Sequence, residues 1–159
     1  PALALCMEPM QPGVMSEKPR SSKESVLNKE TGVYILSHSV IIAACVMTAF
    51  MIGKGSADSA AMASTMAFGT LCLARLFEGF DSRGKYSLAR LGFTKNMFTV
   101  GAFCAGALLL ICALMITPVH SIMNVSDSFA VKNLLEVAGL AVIPFAVTQI
   151  CRMIREAVK

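Results

Sequence analysis

Residues 97–119 read MFTVGAFCAGALLLICALMITPV, an apolar run with no charged side chain in it. A helix rises about 1.5 Å per residue, so roughly 20 such residues cross the ~30 Å hydrocarbon core of a bilayer. The run is too long for a buried strand and lacks the apolar–polar alternation of a half-buried one. In hydrocarbon a backbone N–H or C=O finds a partner only within a helix or a closed barrel. The stretch predicts a transmembrane helix.

Three more stretches of the same kind flank it. Residues 32–53 end in VIIAACVMTAFMIG, and residues 60–80 are apolar until Arg75 and Glu78 near their end. Residues 133–151 carry Glu136 near their start and Pro144 near their middle. The first 31 residues turn polar after a short apolar start, and Pro9, Pro12, Pro19, Ser21, Ser22 and Lys23 spell a loop. The expected fold class is all-α, a polytopic membrane protein with four transmembrane helices at about 32–53, 60–80, 97–119 and 133–151.

Composition agrees. The chain of 159 residues is 55% hydrophobic and 15% charged, against about 25% charged in soluble domains. It has no tryptophan and only Tyr34 and Tyr86 as tyrosines, so the aromatic belt of membrane interfaces is weak. Six cysteines stand singly, without a C-x-x-C or Cys/His spacing, which speaks against a zinc site and for small buried hydrophobes. A net charge of +4, spread out and poor in aromatics, gives no nucleic-acid surface.

Lys and Arg set the expected direction. Eleven of the fourteen fall in residues 1–31, 81–96 and 152–159; Lys54 and Lys132 lie on the other side, and Arg75 lies within a span. The positive-inside rule then puts both termini in the cytosol, as an even number of spans requires.

Several motifs carry a resemblance. PALALCMEPM at residues 1–10 resembles the end of the sixth transmembrane helix of bacterial P-type calcium ATPases, with Glu8 and Pro9 matching a Glu-Pro of that family. Pro19, Arg20, Lys23, Glu24 and Ser25 resemble the Pro-Arg-x-x-Lys-Glu-Ser loop that follows it. STMAFGTLCLARLFEGFDSR at residues 64–83 is similar to the eighth helix, with Asp81 where Asn is common. Pro118 near the end of the third span and the basic Arg152 and Arg155 after the fourth also fit. The resemblance implies that residues 1–31 are the end of a preceding helix and a cytosolic loop, and that residues 32–159 are helices seven to ten.

The resemblance also implies a function. The full pump would be a translocating enzyme of the cell membrane that binds ATP and Mg2+ and exports Ca2+ from the cytosol, with sodium or manganese as other candidate ions. Its phosphorylated Asp, its nucleotide and actuator domains and the ion ligands of helix six would lie upstream of Pro1. The chain would then be a fragment with no catalytic residue and no certain metal ligand of its own. Its partners would be those upstream helices and cytosolic domains, and the lipid bilayer.

Three residues are candidates for the ion pathway: Arg75, Glu78 and Pro1. In the resemblance Arg75 falls where pumps with two ion sites place an acidic ligand. A guanidinium cannot ligate calcium, so Arg75 would occupy the second ion's place and leave one ion per cycle. The other reading is local: Arg75 lies close enough to the helix end to snorkel, or pairs with Glu78 three positions on. Glu78 belongs either to a cytosolic exit path or to a solvated helix end. Pro1 would belong to the break in helix six that frees backbone carbonyls for an ion.

His38 reads as packed or interfacial, Glu136 as a satisfied interfacial carboxylate, and Gly101, Ala102, Ala105 and Gly106 as a close-packing stripe. The local sequence Thr148-Gln149 stands where relatives often carry an acid near the cytosolic end of helix ten. The competing class of function is a stand-alone four-helix membrane subunit or scaffold without catalysis. A small proton-coupled exporter is disfavoured, because residues 32–53 hold no acid.

Overall fold

The computed structural model describes residues 6–7, 29–55, 59–83, 96–116, 125–126 and 128–157. Pro1 and the motifs at 8–25 lie outside them. Four helices follow one another: α1 (Lys29–Lys54), α2 (Ser59–Asp81), α3 (Met97–Met115) and α4 (Val131–Ala157). All four are long and apolar enough to cross a membrane, and the described residues contain no strand. The shortest, α3 with its 19 residues, extends about 28 Å at the helical rise, close to the hydrocarbon thickness.

Helix ends follow local chemistry. Asn96 caps α3: its side chain accepts from the N–H groups of Phe98 at 3.0 Å and Thr99 at 3.2 Å. That satisfies two of the donors a helix start leaves open. The other end comes at Met115, before the apolar run is over, and Ile116 has extended backbone. The sequence disfavours a helix running on to 119, because Pro118 has no N–H and biases the residue before it away from helical backbone. In α4, Pro144 interrupts the ladder in the same way, yet the helix continues to Ala157. Near the break, Thr148 donates its hydroxyl to the Pro144 carbonyl at 3.0 Å.

α2 is the central helix and packs against the other three, while α1 also meets α4. Small residues let it come close. A Cβ on Gly53 of α1 would lie 2.6 Å from the Cα of Ala63 in α2, so the two backbones are nearly in contact there. Gly69 of α2 takes the side chains of Val137 and Leu114, and Gly106 of α3 takes Leu76. Gly101 has open space instead, so only part of the expected small-residue stripe serves as an interface.

The main core gathers Ala49, Met62, Met66, Leu110, Leu114, Phe129 and Val137 from all four helices and the segment before α4. A smaller cluster of Ile42, Ala74 and Ala141 joins α1, α2 and α4. Phe77 and Phe80 of α2 meet Phe103 of α3 at 5.1 and 5.2 Å between ring centroids, and Phe77 also meets Phe145 of α4 at 5.5 Å. Large apolar side chains such as Leu36, Met47, Leu108, Leu109, Leu135 and Ile150 stay exposed. In a membrane helix that outer surface costs nothing, because lipid tails are as apolar as leucine.

Candidate functional site

The last turns of α2, the early turns of α1 and the late turns of α4 converge at the end of the bundle that bears Lys29, Arg83, Arg152 and Arg155. Helical spacing decides which groups meet there. Arg75, Glu78 and Asp81 recur every three residues along α2, Tyr34 and His38 are one turn apart on α1, and Thr148 and Arg152 one turn apart on α4.

Glu78 is the hub. Its Oε2 accepts from Arg75 Nη1 at 2.6 Å, and its Oε1 lies 3.3 Å from His38 Nε2 on α1. The second contact is within ion-pair distance but is not aligned as a hydrogen bond, so Nε2 is buried without a conventional partner. The other ring nitrogen, Nδ1, is 3.0 Å from Thr148 Oγ1 on α4. Tyr34 stacks on the imidazole with 5.9 Å between centroids and 15° between planes. His38 is thus held from three sides.

Asp81 forms the outer layer of the same cluster. Gln149 Nε2 donates to its Oδ1 at 2.7 Å, and Arg152 Nη2 donates to its backbone carbonyl at 2.8 Å. Arg152 also reaches the Tyr34 hydroxyl at 3.2 Å. The cluster brings together two carboxylates, two guanidinium groups and one imidazole.

Of the three residues expected in the ion pathway, α2 carries two in direct contact. Pro1 lies outside the described residues. Arg75 pairs with Glu78 as its spacing allows, and its side chain is 65% exposed against 24% for Glu78. A guanidinium within a span is expensive to leave facing lipid, so such a face ordinarily meets protein or water. The sequence reading missed the convergence of His38, Asp81, Thr148, Gln149 and Arg152 on Glu78's end of the bundle. Their helical spacing was visible, but the partner helices were not. Glu136 stands elsewhere, 4.0 Å from Lys132 one turn before it.

This arrangement can anchor helices and present a cation. Calcium takes six to eight oxygen ligands, whereas both Glu78 oxygens already face cationic or imidazole nitrogens. Among the described residues, no group of three His, Cys, Asp or Glu side chains is placed to hold a metal.

Comparison with known proteins adds the family. The family model described as "Cation transporting ATPase, C-terminus" matches residues 1–154. A calcium-transporting ATPase of Bacillus subtilis (strain 168) is 30% identical over 145 residues, covering 91% of this chain and 16% of that protein. Calcium-transporting ATPase 1 of Lactococcus lactis subsp. lactis (strain IL1403) is 32% identical over 160 residues, covering 98% and 17%. Calcium-transporting ATPase 1 of Bacillus cereus (strain ATCC 10987 / NRS 248) is 27% identical over 173 residues, covering 98% and 19%. The chain spans less than a fifth of the length of these relatives. With four membrane-spanning helices and a match along nearly its whole length, it belongs to the family of C-terminal membrane regions of cation-transporting ATPases.

Proposed function

We propose that this chain is the last membrane section of an ATP-driven pump that exports calcium from the cytosol and carries one calcium ion per cycle. Support for calcium comes from the relatives, which share 27% and 32% identity and are named for calcium transport. ATP and Mg2+ would be handled by the four-fifths of those proteins that lie beyond this match. The excess of Lys and Arg at one end of the bundle supports a cytosolic location for both ends of the chain and for the Glu78 cluster.

The observation that carries the single ion is Arg75. It sits in a membrane-spanning helix with most of its side chain outside this bundle, on a face that other parts of the pump would cover. A fixed positive charge there does the electrostatic work of a second bound cation without being transported. Glu78 neutralises it from one side, and carboxylates of the remaining ion site would do so from the other. Its open flank is the ion-facing one.

The test is the number of calcium ions bound per phosphorylatable pump in the full-length protein carrying Arg75→Glu. The reading predicts that the count rises from one toward two, or that affinity for the single ion changes sharply. An unchanged count with unchanged affinity contradicts it.

A further inference from the structure

We propose that His38 is a positioning residue for Arg75 and acts on it through Glu78. The inference rests on the reading of Arg75 as occupying the second ion's place and names what holds it there.

A continuous polar chain links the proline break of α4 to that guanidinium. Thr148 bonds the Pro144 carbonyl at 3.0 Å and stands 3.0 Å from His38 Nδ1. His38 Nε2 faces one oxygen of Glu78 at 3.3 Å, and the other oxygen takes Arg75 at 2.6 Å. Each link has its freedom removed by the one before. The Thr148 hydroxyl is tied within its own helix, and the imidazole is clamped between Thr148 and the Tyr34 ring, with only 10% of its side chain exposed. A carboxylate bonded to Arg75 through one oxygen and faced by the imidazole on the other has less room to turn, which favours one direction for the arginine.

Arg75 alone would lack such a direction. Its side chain has many rotamers and is mostly exposed. A pair three residues apart on one helix is worth only about 0.2–0.5 kcal/mol in an isolated helix. The histidine from α1 and the threonine from α4 turn this weak local pair into a junction of three helices. Movement of α1 or α4 against α2 would therefore reach the ion path through Glu78. Asp81 and Arg152 face the same cluster but engage each other through the Asp81 carbonyl, and the Asp81 carboxylate goes to Gln149.

The experiment measures half-saturating calcium for ATP hydrolysis in the full-length pump carrying His38→Leu, with either Arg75 or Arg75→Met. Outer-shell partners of metal sites are worth about 10–100-fold in affinity, and a loss of about tenfold is expected with Arg75 present. With Arg75→Met the further loss from His38→Leu should vanish to within about twofold, since the two changes act through one contact. His38→Gln keeps a polar side chain between Thr148 and Glu78 and should recover part of the affinity, which a filler of space would not do. Thr148→Val conserves shape and removes the hydroxyl. It should weaken calcium binding in the same direction, less strongly, and again only with Arg75 present.

Equal losses in both backgrounds, or no loss from either His38→Leu or Thr148→Val with Arg75 present, would overturn the proposal. The calcium count with Arg75→Glu is a separate readout. A failed count sinks the single-ion reading, while the coupling between His38 and Arg75 is decided by this cycle alone.

Discussion

Gln149 Nε2 and Asp81 Oδ1 lie 2.7 Å apart, joining α4 to α2 where the two helices leave the apolar layer. The other carboxylate oxygen, Oδ2, is buried without a hydrogen-bond partner. Losing the acceptor removes the bond that the half-buried Gln149 amide makes from α4 to α2, a loss of about 1–2 kcal/mol. Asp81→Ala should therefore lower the thermal inactivation midpoint of the detergent-solubilised full-length pump. Asp81→Asn keeps an oxygen for Gln149 and removes a buried charge, so it should stay within about 1 kcal/mol of the parent protein. An Asp81→Ala variant as stable as the parent contradicts the pairing.

Glycine positions divide by what surrounds them. A Cβ at Gly53 would meet backbone atoms of Ala63 at 2.6 and 2.8 Å and the Met62 carbonyl at 2.9 Å, none of which can step aside without moving a helix. Gly53→Ala should destabilise by about 1–3 kcal/mol, the usual cost of overpacking. At Gly106 the nearest atom belongs to the flexible end of Leu76, and at Gly101 nothing lies within 4 Å. Gly106→Ala should cost less than Gly53→Ala. Gly101→Ala should be neutral or gain up to about 1 kcal/mol from helix propensity. Thermal inactivation of the three variants side by side reads the order directly.

The cap on α3 makes a third case. Asn96 is buried and serves two N–H groups. Asn96→Ala should cost about 1 kcal/mol, and Asn96→Ser should lose much less. Hydrogen exchange at the amides of Phe98 and Thr99 is the local readout, with faster exchange expected in the alanine variant only.

The helices were legible because the membrane imposes so few solutions. An uncharged run such as 97–115 admits one conformation in lipid, and propensity hardly enters. The Arg75–Glu78 pair was legible as well, since neighbours three apart on a helix face one another whatever else the chain does. Contacts across the bundle were hidden. His38 and Thr148 are 110 residues apart, and nothing in an apolar sequence says which face of α1 turns toward α4. Apolar patterning gives that information in water, where one face must be polar; with lipid outside, both faces are greasy. The same blindness explains the small-residue stripe, in which Gly106 meets a neighbour and Gly101 does not. Close approach at Gly53 carried no sequence signal beyond the glycine itself.

Sidedness is the part of the proposal on which a cytosolic location for the Glu78 cluster and for both ends of the chain depends. The direct measurement replaces the native cysteines of the full-length pump, places single cysteines at Asp58 and Tyr86, and adds a membrane-impermeant maleimide to intact cells. Asp58→Cys should react from outside, and Tyr86→Cys should react only after the cells are opened. Labelling of Tyr86→Cys in intact cells with Asp58→Cys protected would reverse the bundle and contradict the account.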